Sequence, residues 1–321
     1  MRAYLYDAEG VDGEHQLDGL DVGELRANQL LWVDVDDAVE DEVRAAGKLF
    51  GLDDETVEAL LETSGAPALF FHLDYFHVAV TEVQGDGEEY RARLLDCVAG
   101  RNWVLTSHHV PLEFLKSFDD RYQGDSNVGR FGSAGFVSAL LNEQLQTYSR
   151  KLKLIVNEID HVEQLVLRDR VDEDKLVRRL ISINQRITRL RRWLEPHTEI
   201  YERLAEPTLS ELLPEETTEP LFAANVLHVK RTIDSLDSAR QVVTGSLGLY
   251  MTLVAHSTNK VIKLLTVVSV TLLPPTFLTG FLGMNDVPNS LRGITAFWVG
   301  TAVMLLVATT TLAVARRRGW I

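Results

Sequence analysis

The chain has 321 residues, a formal charge of −15, 45% hydrophobic and 25% charged residues, a pI near 5.0 and a mean hydropathy of −0.02. This length supports a sizeable core and excludes a disulfide mini-protein or a disordered chain, and the acidic balance excludes general nucleic-acid binding, which needs cations to displace counterions. The single cysteine, Cys97, cannot close an internal disulfide and fits a reducing compartment, and the start MRAYLYDAEGVDGEH has no apolar run of the length a cleavable signal needs.

From Met1 to about Thr106 the pattern predicts short strands with helices between them. AYLYD, LLWVDVDD (Leu30 to Asp37), ALFFHLDYFHVAV (Ala68 to Val80) and RNWVLTSHH (Arg101 to His109) are rich in aromatic and β-branched residues. DEVRAAGKLFG and DDETVEALLETSG predict short helices with acidic first turns and glycine stops. An α/β lobe over residues 1–132 results. The runs Asp34-Asp36-Asp37 and Asp53-Asp54-Glu55 read as solvated surface or helix starts. His72 and His77 point to opposite faces of a strand, and the adjacent His108 and His109 also diverge, so all four read as packing or surface histidines. There is no phosphate-cradling glycine loop between strand and helix, so nothing supports nucleotide binding.

Beyond Ser133 the period becomes helical. Val137, Leu140, Leu141, Leu145, Leu152, Ile155, Ile159, Val162 and Leu165 recur at three- and four-residue spacing. Asp172 to Leu204 is a second such stretch, ended by Pro207. A third begins near Leu221 and meets no glycine or proline cluster before the chain turns apolar, which predicts one helix of roughly 60 residues, about 90 Å long. Residues 133–259 thus form a long-helix stalk. Periodic helices of this length pack against partners, so self-association is expected.

At Asn259 the composition breaks. About 26 basic and 46 acidic residues precede that point, and about 6 basic and 1 acidic follow it. Leu264–Leu282 and Gly293–Ala315 are uncharged and apolar, about 19 and 23 residues long, each sufficient to cross a bilayer core of ~30 Å as helix. Residues 260–321 therefore read as a membrane hairpin whose connection is 283–292. Lys260 and Lys263 before the first span and Arg316, Arg317 and Arg318 after the second predict that both termini are cytoplasmic. Trp298 and Trp320 near span ends suit the headgroup level. The fold expected is an α+β cytosolic domain, then long α-helices, then a C-terminal two-helix transmembrane hairpin.

In the first span Asn259, Ile262, Leu265, Ser269, Leu273, Thr276 and Gly280 recur every three or four residues and form one helical face, with Asn285 just past its end. Intramembrane polar groups turn toward protein or water, and Ser or Thr also bond back to their own helix. Pro274 and Pro275 remove backbone donors in mid-span and predict a bend. Asp286, the acid of the connection, is either a solvated turn residue or a charge with a role at that end of the span.

The string PPTFLTGFLGMN, with Gly283-Met284-Asn285 directly after the first span of a terminal hairpin, resembles the CorA family of divalent-cation transporters. The spacing Asn259 to Asn285 and the basic end ARRRGWI fit as well. TRLRRWLEPHTEIYERLAEP (Thr188 to Pro207) and TFLTG (Thr276 to Gly280) are more similar to the ZntB branch than to the magnesium branch. The resemblance implies a funnel-shaped homopentamer in the inner (plasma) membrane, with first spans around a central pore. Gly283, Met284 and Asn285 would be the selectivity filter, a ring of carboxamides meeting a hydrated metal ion, Zn²⁺ or Mg²⁺, with no other cofactor. Asn259, Ser269, Thr276 and Gly280 would line the pore, and Ile262, Leu265 and Leu273 would constrict it.

Two departures stand out. Pro288 follows Asn285 after two residues, where family loops have a longer insertion. Counted back from Asn285 without gaps, the aspartate that binds a gating ion between subunits in the magnesium branch falls at Ala224, and a neighbouring acidic position falls at Gly248, which implies that closing of that type is absent or relocated. The competing expectation is a non-transporting membrane-anchored helical scaffold. An enzyme lacks support, since no nucleophile or ligand set converges in the sequence.

Overall fold

A computed structural model of the chain describes residues 1–10, 12–15, 22–63, 65–87, 89–122, 128, 132–166, 173–213, 218–282 and 294–319. It divides into two units, Met1–Gly245 and Ser246–Ile321.

The first unit is built on a sheet of strands β1 (Arg2–Asp7), β2 (Gly13–Glu14), β3 (Gln29–Asp36), β4 (Ala68–Phe71), β5 (Phe76–Gln84), β6 (Arg91–Ala99) and β7 (Trp103–His108). Their order is β2-β1-β3-β7-β6-β5-β4, and β3 with β7 is the parallel pair. Strand β3 is buried along nearly all its length because both of its faces are covered. Leu31, Val33 and Val35 turn to one side, where helices α1 (Glu40–Phe50) and α2 (Asp54–Leu61) bring Val43, Ala46, Phe50, Val57 and Leu60. A Cβ on Gly47 would stand 2.7 Å from Val57 Cγ2, so the glycine lets α1 and α2 approach. On the opposite face Trp32 meets Phe118 of α3 (Glu113–Tyr122) and Phe136 of α4 (Gly132–Val166), with centroids 6.2 and 5.4 Å away.

Local signals set several boundaries. Gly51 ends α1 in the left-handed region at φ 67°, and Asp53 caps α2 by accepting from Thr56 N at 2.7 Å. Helix α2 stops at Leu61, short of the predicted glycine. The run Ala68–Val80 is two strands rather than one. His72 to Tyr75 form the turn, closed by His72 N donating to Tyr75 O at 2.9 Å, with the two rings stacked. No glycine or proline marks that turn, so composition hid it. Strand β6 was also unmarked. It starts among arginines and becomes a strand through pairing with both β5 and β7.

Asp34 corrects the expectation of solvated surface: it is 3% exposed, accepts from Thr106 Oγ1 at 2.6 Å and lies 3.4 Å from His108 Nε2. Burial alone would raise its pKa, but bonds with His108 and Thr106 outweigh that and lower it, while Asp34 raises the His108 pKa against the effect of burial.

Strand β4 covers β5 only as far as Ala79, which leaves the backbone of Thr81 and Val83 on that edge. Helix side chains complete the ladder. Thr81 N donates to His197 Nε2 at 3.0 Å, Gln144 Nε2 donates to Thr81 O, and Val83 N donates to Thr147 Oγ1 at 3.2 Å. Tyr201 Oη donates to Gln144 Oε1 at 2.6 Å. Every one of these partners sits on α4 or on α6 (His197–Leu204). The predicted helix Asp172–Leu204 is in fact α5 (Glu173–Leu194) and α6, split at Pro196, whose ring removes a helical donor. The short α7 (Pro207–Leu212) follows.

Helix α8 (Thr218–Leu282) runs through the unit boundary as one element, and α9 (Ile294–Arg317) completes the second unit. Within the first unit α8 is joined to α4 by polar groups. Asn225 Nδ2 donates to Ser138 O at 2.9 Å, and His228 bonds Asn142 Oδ1 at 3.1 Å and Ser149 Oγ at 3.0 Å.

Candidate functional site

Both C-terminal helices contain stretches long and apolar enough to cross a membrane. Mean hydropathy reaches 1.4 within Pro220–Phe277 and 1.9 within Phe297–Arg317. Val267 of α8 and Ala315 of α9 are the buried apolar side chains of the second unit among the described residues. Thr266, Val267 and Val270 of α8 share a groove with Thr310, Thr311, Val314, Ala315 and Arg318 of α9, so the start of one span lies beside the end of the other.

Most of the predicted stripe lies elsewhere on α8, whereas Asn259 stands only about 80° from Val267. At about 100° per residue, Leu265 and Ser269 stand about 160° around the helix from Val267, and Thr276 stands about 180° from it. Ile262, Leu265 and Leu273 are 55%, 65% and 65% exposed, and Asn259, Thr276 and Gly280 are exposed as well, whereas Ser269 is half-buried. Side chains of this size are left uncovered by their own chain, so lipid or another copy must cover them. Among the described residues a Cβ on Gly280 would meet nothing within 4 Å.

The chemistry of this face is that of oxygen acceptors. Thr276 Oγ1 donates to Leu272 O at 2.8 Å, which uses its proton and leaves its lone pairs free to accept. Acceptors of this kind suit a cation that keeps its water, because the bound waters act as donors.

Gly283, Met284, Asn285 and Asp286 lie outside the described residues, as does Pro288. Ala224 lines a cavity of about 490 Å³ in the first unit with Phe118, Tyr122, Phe136 and Asn142. Gly248, on the α8 segment of the second unit, has open space around its Cβ position.

Among the described residues no three His, Cys, Asp or Glu side chains gather into a group that would hold a metal. Cys97 is buried, and burial pushes its thiol pKa up, away from the thiolate that binds zinc. His77 is buried 2.8 Å from Asp96 Oδ1, and His72 lies 2.9 Å from Asp53, so the histidines of the sheet serve packing and turn formation. That Val267 and Ala315 turn into the groove between α8 and α9 was not legible in sequence, because many other residues of the two spans are equally apolar.

The family model described as CorA-like Mg²⁺ transporter protein matches residues 27–317. The cobalt/magnesium transport protein CorA of Thermotoga maritima is 25% identical over 285 residues, covering 88% of this chain and 80% of the relative. The complete structure of the CorA magnesium transporter from Methanocaldococcus jannaschii superposes with a TM-score of 0.80 at 19% identity, covering 100% of this chain and 99% of the other. The ZntB cytoplasmic domain from Vibrio parahaemolyticus superposes with a TM-score of 0.60 at 11% identity, over 81% of this chain and 98% of that domain, a likeness of fold.

Proposed function

This chain belongs to the CorA-like Mg²⁺ transporter protein family, and from that premise we propose that it carries a hydrated divalent cation through a central pore built by five copies. The observation that supports this most is the α8 face turned away from α9: it carries Ser269 and Thr276 among exposed leucines, and the sequence continues into Gly283-Met284-Asn285. A tether has no use for such a face.

In this reading the division is 1–132, 133–259 and 260–321, both termini are cytoplasmic, and Asn285 supplies a ring of carboxamides that accept hydrogen bonds from the ion's water. Gly283 and Met284 hold the turn. Thr276 and Asn259 are further acceptor rings, and Ile262, Leu265 and Leu273 form a constriction that closes by dewetting. Asp286 raises the local cation concentration beside the mouth. Mg²⁺ and Zn²⁺ are the candidate ions, zinc on the ZntB likeness alone, with Co²⁺ and Ni²⁺ as further cargo.

Flux into liposomes with each of these ions, with and without a pH gradient, is the test. Asn285→Ala is expected to abolish uptake while the oligomer stays assembled. Unchanged flux would favour the membrane-anchored scaffold. Equal rates with and without the gradient would favour passive conduction over proton coupling. Ala224 and Gly248 leave no carboxylate where the magnesium branch binds its gating ion, so a flat response to millimolar cytosolic Mg²⁺ is expected, and steep inhibition would overturn that part.

A further inference from the structure

The groove between α8 and α9 has a chemistry that cation conduction does not use. Its volume is about 250 Å³, and it is lined by Thr266, Val267 and Val270 on one side and by Thr310, Thr311, Val314, Ala315 and Arg318 on the other. The threonine hydroxyls all donate to their own helices: Thr266 to Ile262 O at 2.8 Å, Thr310 to Leu306 O at 2.6 Å and Thr311 to Val307 O at 2.7 Å. With those protons engaged, the inner walls offer chiefly methyl groups. An apolar chain fits there better than water, which needs several polar partners.

One end of the groove is cationic. Arg318 lines it directly. At about 100° per residue, Lys263 and Lys260 fall within about 40° of Val267 and continue the same side of α8 past the apolar section. Lys260, Lys263, Arg316, Arg317 and Arg318 have no ion-pair partner among the described residues, and no acid stands in Ser246–Leu282 or in Ile294–Gly319. The C-terminal dipole of α9 repels an anion with about half a charge, which the arginines outweigh.

We propose that this groove binds an anionic glycerophospholipid, with one acyl chain along Val267, Val270 and Val314 and the headgroup phosphate on Arg318, flanked by Lys263 and Lys260. The apolar interior and the cationic exit lie in the order in which such a lipid presents its two ends. The proposal rests on the reading that α8 and α9 lie in a bilayer, and it does not depend on which ion is carried or on whether one is.

Native mass spectrometry of the full chain released from detergent, with graded dioleoylphosphatidylglycerol or dioleoylphosphatidylcholine, tests it. The wild type is expected to retain the phosphatidylglycerol preferentially. Arg318→Gln should weaken that binding about fivefold, the value of one basic contact at a membrane surface. Arg318→Lys should keep most of it, and Arg317→Gln, on a different side of α9, should change it less than Arg318→Gln. Val270→Trp, which fills the groove, should displace the lipid, and an excess of sn-glycerol 3-phosphate should not. Equal retention of the two lipids would overturn the proposal, as would equal effects of Arg317→Gln and Arg318→Gln. So would a Val270→Trp variant whose oligomer dissociates, since a second copy of the chain would then occupy the groove. Absent flux alongside the expected lipid pattern would count against the transport reading alone.

Discussion

His197 shows how one side chain ties local chemistry to stability. It is fully buried, its Nε2 accepts from Thr81 N at 3.0 Å, and burial drives its pKa down to about 4. A histidine whose folded pKa lies below its unfolded value binds its proton in the unfolded state first. Stability is therefore complete above about pH 6.5 and declines as pH falls toward 4, by about 3 kcal/mol in all. Thermal unfolding of the full chain in detergent should show a falling midpoint between those values. His197→Gln, which keeps an acceptor but cannot be protonated, should flatten part of that slope; an identical slope would mean that other groups cause it. Asp34 and His108 act differently. The lowered Asp34 pKa keeps its contribution until pH falls through that value, and the raised His108 pKa keeps its contribution until pH rises through it, so the pair stabilises the fold across the acidic range where His197 weakens it.

Among the elements, α8 carries two stripes with separate tasks. The side bearing Lys263, Val267 and Val270 belongs to α9, and the side bearing Leu265, Ser269 and Thr276 is left open. A stripe of exposed leucines interrupted by hydroxyls is left for lipid or other copies to cover, and it is there that the proposed constriction would form. Replacing Leu265, 65% exposed, with Asn should hydrate that constriction and raise basal divalent-cation flux several-fold in liposomes without loss of the oligomer. A fall in flux would move the barrier away from this residue. Pro196 has the complementary role in the first unit. By ending α5 it sets the separate axis of α6, which brings His197 and Tyr201 to the uncovered edge of β5.

For the whole molecule the charge of −15 is an average over unlike parts: about 46 acids stand before residue 260, and about one acid against six bases stands after it. In the proposed pentamer the acidic part would concentrate cations near the cytosolic entrance, to the extent that salt does not screen it. Uptake measured at fixed divalent-cation activity should therefore slow when monovalent salt is raised from about 0.05 M to about 0.5 M, with the Debye length falling from above 10 Å to below 5 Å. An unchanged rate would remove that role from the acidic surface.

By itself, the sequence determined what depends on short-range order. Helical periodicity marked α4, α5 and α8, apolar length marked the two spans, Asp53 and Gly51 marked helix ends, and Gly283-Met284-Asn285 marked the family. Tertiary structure decided what depends on residues far apart in the chain. It buried Asp34 by bringing Arg2, Thr106 and His108 to it, made β6 a strand by pairing both its edges, cut Ala68–Val80 in two at a turn without glycine or proline, and completed β5 with side chains from α4 and α6. It also chose which side of each apolar span faces the other. Hydropathy is nearly uniform around α9, so that choice comes from packing around Val267 and Ala315, which no local pattern encodes.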